Sequence, residues 1–155
     1  AQCLVGSEMC IRDRDKTVTL PTVQRSALSS AGETAGVVPF TIDLTSCTPG
    51  ADVSVYFEKD QYVSTEGRLK NTLSDGTEAE NVDVELLNTR FTPINLAETP
   101  AVAADGTIAR PDVIPVAVAE QDGSASLPFY ARYYATDAAT AGKVATYVNF
   151  TVVYP

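Results

Sequence analysis

The chain ends in the stretch that decides its fold, the fourteen residues GKVATYVNFTVVYP from Gly142 to Pro155. Side chains of an extended strand point alternately to its two faces, so the even-numbered positions here share one face. Thr146 is the exception on that face, and its other positions are large and apolar: Val144, Val148, Phe150, Val152 and Tyr154. A strand this apolar needs a neighbouring strand, supplied either by its own fold or by another protein.

The rest of the chain is predicted to consist of short strands separated by turns. Clear alternation of apolar and polar residues occurs in segments 37–46, 53–57, 82–86 and 124–134, and weaker strands are expected at 17–20, 91–96 and 114–119. One helical turn is expected near 26–33, and residues 98–111 are expected to form a loop. About seven short strands with frequent turn signals predict a single all-β domain, an immunoglobulin-like β-sandwich.

The composition excludes several classes of function. The 155 residues carry a formal net charge of −9 and include no histidine. Serine–histidine and cysteine–histidine catalysis are therefore excluded, and the commonest metal ligand is missing. The six acidic residues from Glu58 to Glu80 lack the regular spacing of a calcium loop. We expect no enzyme, no cofactor and no metal site.

Charge and hydropathy also restrict the partners and the location of the chain. The negative charge argues against nucleic acid as a partner, because phosphate binding needs clustered lysine and arginine. No apolar run is long enough to cross a bilayer, so membrane insertion is not expected. The chain does not start with a signal peptide, which fits either a cytosolic protein or a mature exported one.

Several segments carry a resemblance to a known family. Residues 15–23, DKTVTLPTV, look like the first stretch of a type 1 pilin after its first cysteine, and residues 39–47, PFTIDLTSC, look like the second strand. Residues 82–87 and 127–136 are similar to later pilin strands. Together with Gly142 and the penultimate Tyr154, their shared order over residues 15–155 resembles the major subunits (pilins) of type 1 fimbriae built by the chaperone–usher pathway.

The resemblance implies a fold and a function. The expected fold is an incomplete immunoglobulin-like sandwich that lacks its last strand and is completed by donor-strand complementation. A periplasmic chaperone would fill the gap first, and the N-terminal extension of the next subunit would then replace it at the outer-membrane usher. The implied function is that of a structural subunit of an adhesive fimbria, a homopolymer that reaches the cell exterior through the periplasm. Alternatives are a minor or adaptor pilin, or a self-complete immunoglobulin-like module that binds carbohydrate.

The resemblance also assigns roles to particular residues. The apolar face of the final strand would form the groove that contacts the chaperone and the neighbouring subunit, through Val144, Val148, Phe150, Val152 and Tyr154. Gly142 and Tyr154 would form the assembly motif. The family's disulfide joins the first strand to the end of the second, which places Cys47 in the bridge. Cys3 is the preferred partner because Cys3-Leu4-Val5 matches the usual cysteine-x-valine pattern, and Cys10 is the close alternative.

Residues 1–14 depart from the family. A pilin is expected to begin with alternating apolar residues and glycine, the pattern of a donor strand, and this segment has no such pattern. It resembles translated sequencing-adapter sequence joined to a truncated gene, or else it is a truncated donor-strand region. We therefore separate an atypical segment, residues 1–14, from a pilin domain, residues 15–155. A chain with this N-terminus is not expected to polymerise by itself.

Overall fold

The computed structural model describes residues 11–12, 18–97, 101–102, 108–109 and 113–153. These residues form ten β-strands and one short 3-10 helix, Arg25–Leu28, and contain no α-helix. The strands are β1 (Ile11–Arg12), β2 (Thr34–Thr45), β3 (Asp52–Phe57), β4 (Leu69–Lys70), β5 (Val82–Leu87), β6 (Ala101–Val102), β7 (Ile108–Ala109), β8 (Val116–Ala117), β9 (Ala125–Ala135) and β10 (Phe150–Val153). The predicted all-β class is therefore confirmed.

Two antiparallel sheets form the sandwich. The larger sheet has the strand order β1-β2-β9-β5-β4, and the smaller one has the order β10-β3-β8. β2 and β9 make the longest pairing, from Thr34 opposite Tyr134 to Leu44 opposite Ala125, with one irregularity between Ala35 and Val38. β6 and β7 pair only with each other. β9 is thus the central strand of the larger sheet, and β10 is an edge strand of the smaller one.

The inner faces of both sheets share one hydrophobic core. Phe129 of β9 lies at its centre, stacked on Phe40 of β2 at 5.5 Å between ring centroids and edge-on to Phe57 of β3 at 5.3 Å. The residues predicted to share a face of β9 do so, since Leu127, Phe129 and Ala131 are all buried. The alternation of apolar residues along β2 and β9 correctly predicted which side chains enter the core.

Some predicted elements differ in the structure. Residues 91–96 form no strand; Pro93 makes a single bridge with Leu87, although Ile94 and Leu96 are buried. The segment expected to be a loop at 98–111 contains β6 and β7. Residues 18–20 are assigned to no strand, and the predicted final strand is reduced to Phe150–Val153. The last two differences concern residues 18–20 and 144–149, which line the cavity described in the next section.

Candidate functional site: an open groove beside the final segment

A cavity of about 670 Å³ opens onto the core face of the larger sheet. Its floor is apolar and comes from four strands of that sheet, with Ile42 from β2, Ala131 from β9, Leu86 from β5 and Leu69 from β4. Its walls include residues 18–20 and the whole stretch 144–150. A cleft that is lined mainly by apolar side chains and is continuous with the core is a common form of binding site.

The structure places most of the predicted groove residues at this cavity. Val144, Val148 and Phe150 line it, and each is partly buried against the core. Val152 is only 1% exposed and is packed in the core, without lining the cavity. Tyr154 lies outside the described residues. Burial alternates along 144–150, with the even-numbered side chains partly buried and the odd-numbered ones exposed, as expected for an extended chain.

One edge of this final segment is bonded to its own chain. The amide of Lys143 donates to the carbonyl of Thr77 at 2.8 Å, and the carbonyl of Ala145 accepts from the amide of Thr72 at 2.7 Å. Farther along, the carbonyl of Asn149 accepts from the amide of Glu58 at 2.8 Å. The odd-numbered residues therefore fix the segment to the loops between β3 and β5. These contacts could not be predicted from the sequence, because they join segments that are far apart along the chain.

The other edge of the segment has no such partners. In an extended chain the backbone groups of successive residues point to alternating sides. Within the described residues, the amides and carbonyls of Val144, Thr146 and Val148 make no hydrogen bond. No backbone hydrogen bond is found there for residues 18–20 either. Two wall segments thus carry backbone groups that lack partners among the described residues, as the edge strands of a sheet do.

Gly142 has a steric role where the final segment begins. Its backbone passes so close to residues 78–79 that an added Cβ would lie 2.6 Å from the carbonyl oxygen of Glu78 and closer still to the amide nitrogen of Ala79. The following residue, Lys143, forms a parallel bridge with Glu78. Any side chain at position 142 would separate these backbones. The glycine therefore allows the final segment to reach the position in which it borders the cavity.

Cys47 is disulfide-bonded and 5% exposed. Both candidate partners, Cys3 and Cys10, lie outside the described residues. The neighbouring strand pairing is described: in the antiparallel pair of β1 and β2, Ile11 stands opposite Thr45 and Arg12 opposite Leu44. The bridge therefore starts from a buried cysteine two residues beyond β2.

Apolar and aromatic side chains make up most of the lining of the cavity. The phenol of Tyr133 lines the cavity, and burial raises its pKa. In the described part of the chain, no group of three or more His, Cys, Asp or Glu residues could hold a metal ion. A search of the same residues for a helix long and apolar enough to span a membrane found none. What the cavity offers is apolar surface and backbone hydrogen-bonding groups.

Comparisons with known proteins agree with this geometry. Residues 20–155 match the family model described as Type-1 fimbrial protein, A. The chain is 42% identical to the Major fimbrial subunit SMF-1 of Stenotrophomonas maltophilia (strain K279a), over 91% of this chain and 79% of that protein. It is 38% identical to the F17 fimbrial protein of Escherichia coli, over 98% and 79%.

A solved structure shows the same fold at low sequence identity. A chain from the structure of a chaperone–usher pilus superposes with a TM-score of 0.64, at 16% identity, over 94% of this chain and 87% of that one. The immunoglobulin-like sandwich predicted from the sequence is thereby confirmed. On the match of the family model and of these relatives, the chain belongs to the type 1 fimbrial protein family and is a structural subunit of a bacterial fimbria.

Proposed function

We propose that the chain is incorporated into a fibre by donor-strand exchange, in which an extended segment supplied by a neighbouring subunit fills the cavity beside residues 144–148. One observation carries this proposal: among the described residues, the backbone groups on the inner edge of that stretch have no hydrogen-bond partner, and they border an apolar floor. A β-strand with alternating apolar side chains satisfies both features at once, because its backbone completes the ladder while its side chains cover the floor. A small ligand would leave most of the backbone groups unpaired.

The energetics of such a joint suit a fibre. Burial of about five large apolar side chains would contribute roughly 10 kcal/mol. Ladder hydrogen bonds would add directionality, and a slip by one residue would turn every apolar side chain away from the floor. A joint with these properties dissociates slowly, which is what a fibre under mechanical load requires.

The same groove accounts for the partners expected before assembly. A subunit with an exposed apolar cavity is prone to aggregation, so a periplasmic chaperone would cover the cavity until the outer-membrane usher exchanges it for the next subunit. The final location would be the extracellular fimbrium, and Gly142 and Tyr154 would act as the assembly motif. Similarity to a protein named Major fimbrial subunit favours the rod-forming role over that of a minor or adaptor pilin. We propose no enzymatic activity.

We also infer that Cys10 is the partner of Cys47. Ile11 of β1 pairs with Thr45, two residues before Cys47, and Cys10 immediately precedes Ile11 in the sequence, whereas Cys3 is eight residues away. A bridge of this kind typically stabilises a domain by about 2–4 kcal/mol. Peptide mapping without reduction should recover the Cys10–Cys47 peptide, and Cys10→Ser should lower the melting temperature while Cys3→Ser does not. Recovery of a Cys3–Cys47 peptide would contradict this assignment.

A peptide supplied in trans tests the proposed function. The purified chain should melt at a low temperature alone, and a peptide of about thirteen residues with apolar side chains at alternate positions should raise that temperature by roughly 10 °C or more. The matched control peptide has the same composition, but its apolar residues stand next to each other in sequence. Its apolar side chains therefore point to both faces of the strand. A chain that is a stable monomer alone and ignores both peptides would instead be a self-complete module, to be tested for carbohydrate binding.

A further inference from the structure

Thr146 is the one polar residue on the inward face of the final segment. It lines the cavity between Val144 and Val148, which are both apolar and face the same way. Its hydroxyl oxygen, Oγ1, is buried, and it is the only buried side-chain nitrogen or oxygen atom without a hydrogen-bond partner in the described part of the chain. The sequence pattern identified position 146 as the polar exception on an apolar face, and in the structure the hydroxyl group at this position has no hydrogen-bond partner among the described residues.

A buried hydroxyl without a partner is unfavourable and rare in native proteins. Valine has nearly the same shape and would fill the position without that cost. The loop residues Asn71 and Thr72, which hold this stretch, bond the backbone of Ala145 on the opposite edge of the segment and make no bond with Thr146. The partner of Thr146 is therefore expected to come from whatever fills the cavity.

The apolar pattern of the groove does not by itself fix the register of an occupying strand. A slip by one residue reverses its faces and is strongly disfavoured. A slip by two residues returns the same faces to the same sides, so apolar alternation cannot distinguish the two registers. A single buried polar pair removes this ambiguity, as a buried asparagine does in a coiled coil.

We propose that Thr146 sets the register of the donor strand by hydrogen bonding to a hydroxyl or amide side chain on it. The occupant is the donor segment of a second fimbrial subunit, with apolar residues at its inward positions except for one Ser, Thr or Asn opposite Thr146. Residues that stand opposite each other in paired strands have Cβ atoms about 4.5–5.5 Å apart, which is within reach of such a bond. This inference rests on the proposed donor-strand function.

A positional scan of synthetic peptides tests the proposal. The parent peptide carries valine at every inward position, and each member of the set replaces one of them by threonine. The wild-type subunit should prefer one member over the parent by about fivefold, the factor expected from a hydrogen bond of ordinary net strength, and should disfavour the others. Thr146→Ser should keep the preference at the same position. Thr146→Val should prefer the parent at every position.

The possible outcomes separate this inference from the function on which it rests. If the parent peptide binds the wild-type subunit more tightly than every member of the set, the register role of Thr146 is overturned while donor-strand binding stands. The same conclusion follows if Thr146→Val retains the preference for the same member. If no peptide of the set binds the wild-type subunit, both the inference and the proposed function fail.

Discussion

At the scale of single residues, the backbone crossing at Gly142 controls how the final segment lies. Gly142→Ala should destabilise the subunit by about 1–3 kcal/mol, because the new methyl group must push apart two backbones. If the backbones separate at this crossing, the amides of Lys143 and Ala79 should exchange their hydrogens faster, because their hydrogen bonds hold the final segment to residues 77–79. These amides can be followed by NMR in the peptide-bound subunit.

A second glycine provides the control for that change. Gly76 also has a positive φ, +94°, but an added Cβ there would meet no atom within 4 Å. Gly76→Ala should therefore cost only the backbone strain, about 1 kcal/mol, and leave the Lys143 and Ala79 amides protected. Unchanged protection in Gly142→Ala would show that the close approach is not needed to position the final segment.

At the scale of elements, β5 shows where an alternating pattern is an incomplete guide. Val84 and Leu86 enter the core as the pattern indicates. The polar residues that alternate with them, Asp83 and Glu85, are buried as well. Arg132 of β9 bonds Glu85 at 2.6 Å, and Arg68 lies 3.4 Å from Asp83. Long arginine side chains cover the outer face of the strand. The sequence could not show this cover, because it depends on which strands become neighbours.

The burial of Asp83 has a consequence for the pH dependence of stability. Desolvation raises the pKa of its carboxyl group, although the nearby Arg68 acts in the opposite direction. The folded state therefore binds this proton more tightly than the unfolded state. The stability from Asp83 is fully present below the unfolded pKa near 3.8 and is lost as the pH rises through the folded value. The free energy of unfolding of wild type relative to Asp83→Asn should accordingly be larger at pH 3.5 than at pH 7.

Urea unfolding of the peptide-bound subunit over a series of pH values measures this difference. Asp122→Asn is the matched control with the opposite sign, because hydrogen bonds from Ser124 lower the pKa of Asp122. The stability from Asp122 is present above the unfolded pKa near 3.8 and is lost as the pH falls through the folded value. A difference for Asp83→Asn that grew towards neutral pH would show that Arg68 outweighs burial.

The two predicted strands that the structure does not pair have a common explanation. Alternation correctly predicted the inward side chains of residues 144–150, and it also favoured a strand at residues 17–20. Neither 18–20 nor 144–149 is assigned to a strand, because pairing requires a partner and none is found among the described residues. Both stretches line the same cavity. The sequence could therefore predict which residues face the groove, and the resemblance implied a lacking strand, but only the structure could show which backbone groups have no partner among the described residues.

At the scale of the whole molecule, the sandwich has a core that other described residues leave uncovered along one side. The floor of the cavity belongs to the same cluster of apolar residues as the closed core. Under the proposed function, filling the cavity would extend the core itself, so that the stability of the subunit and its incorporation into a fibre would be coupled. A substitution that disrupts the apolar lining of the cavity should then reduce both the stability of the subunit and its incorporation into fibres.

Phe150→Asp tests that coupling. Phe150 lines the cavity and packs edge-on against Phe57, with ring centroids 6.4 Å apart. A carboxylate there loses the aromatic packing, worth about 3–5 kcal/mol, and places a charge on apolar surface. In cells that express the chaperone and usher, we expect subunit to be lost from the periplasm and fibres to disappear from the surface. Gln121→Glu adds the same charge at an exposed position that does not line the cavity and should leave both intact. Fibres of normal number and length from Phe150→Asp would mean that the cavity is not where subunits join.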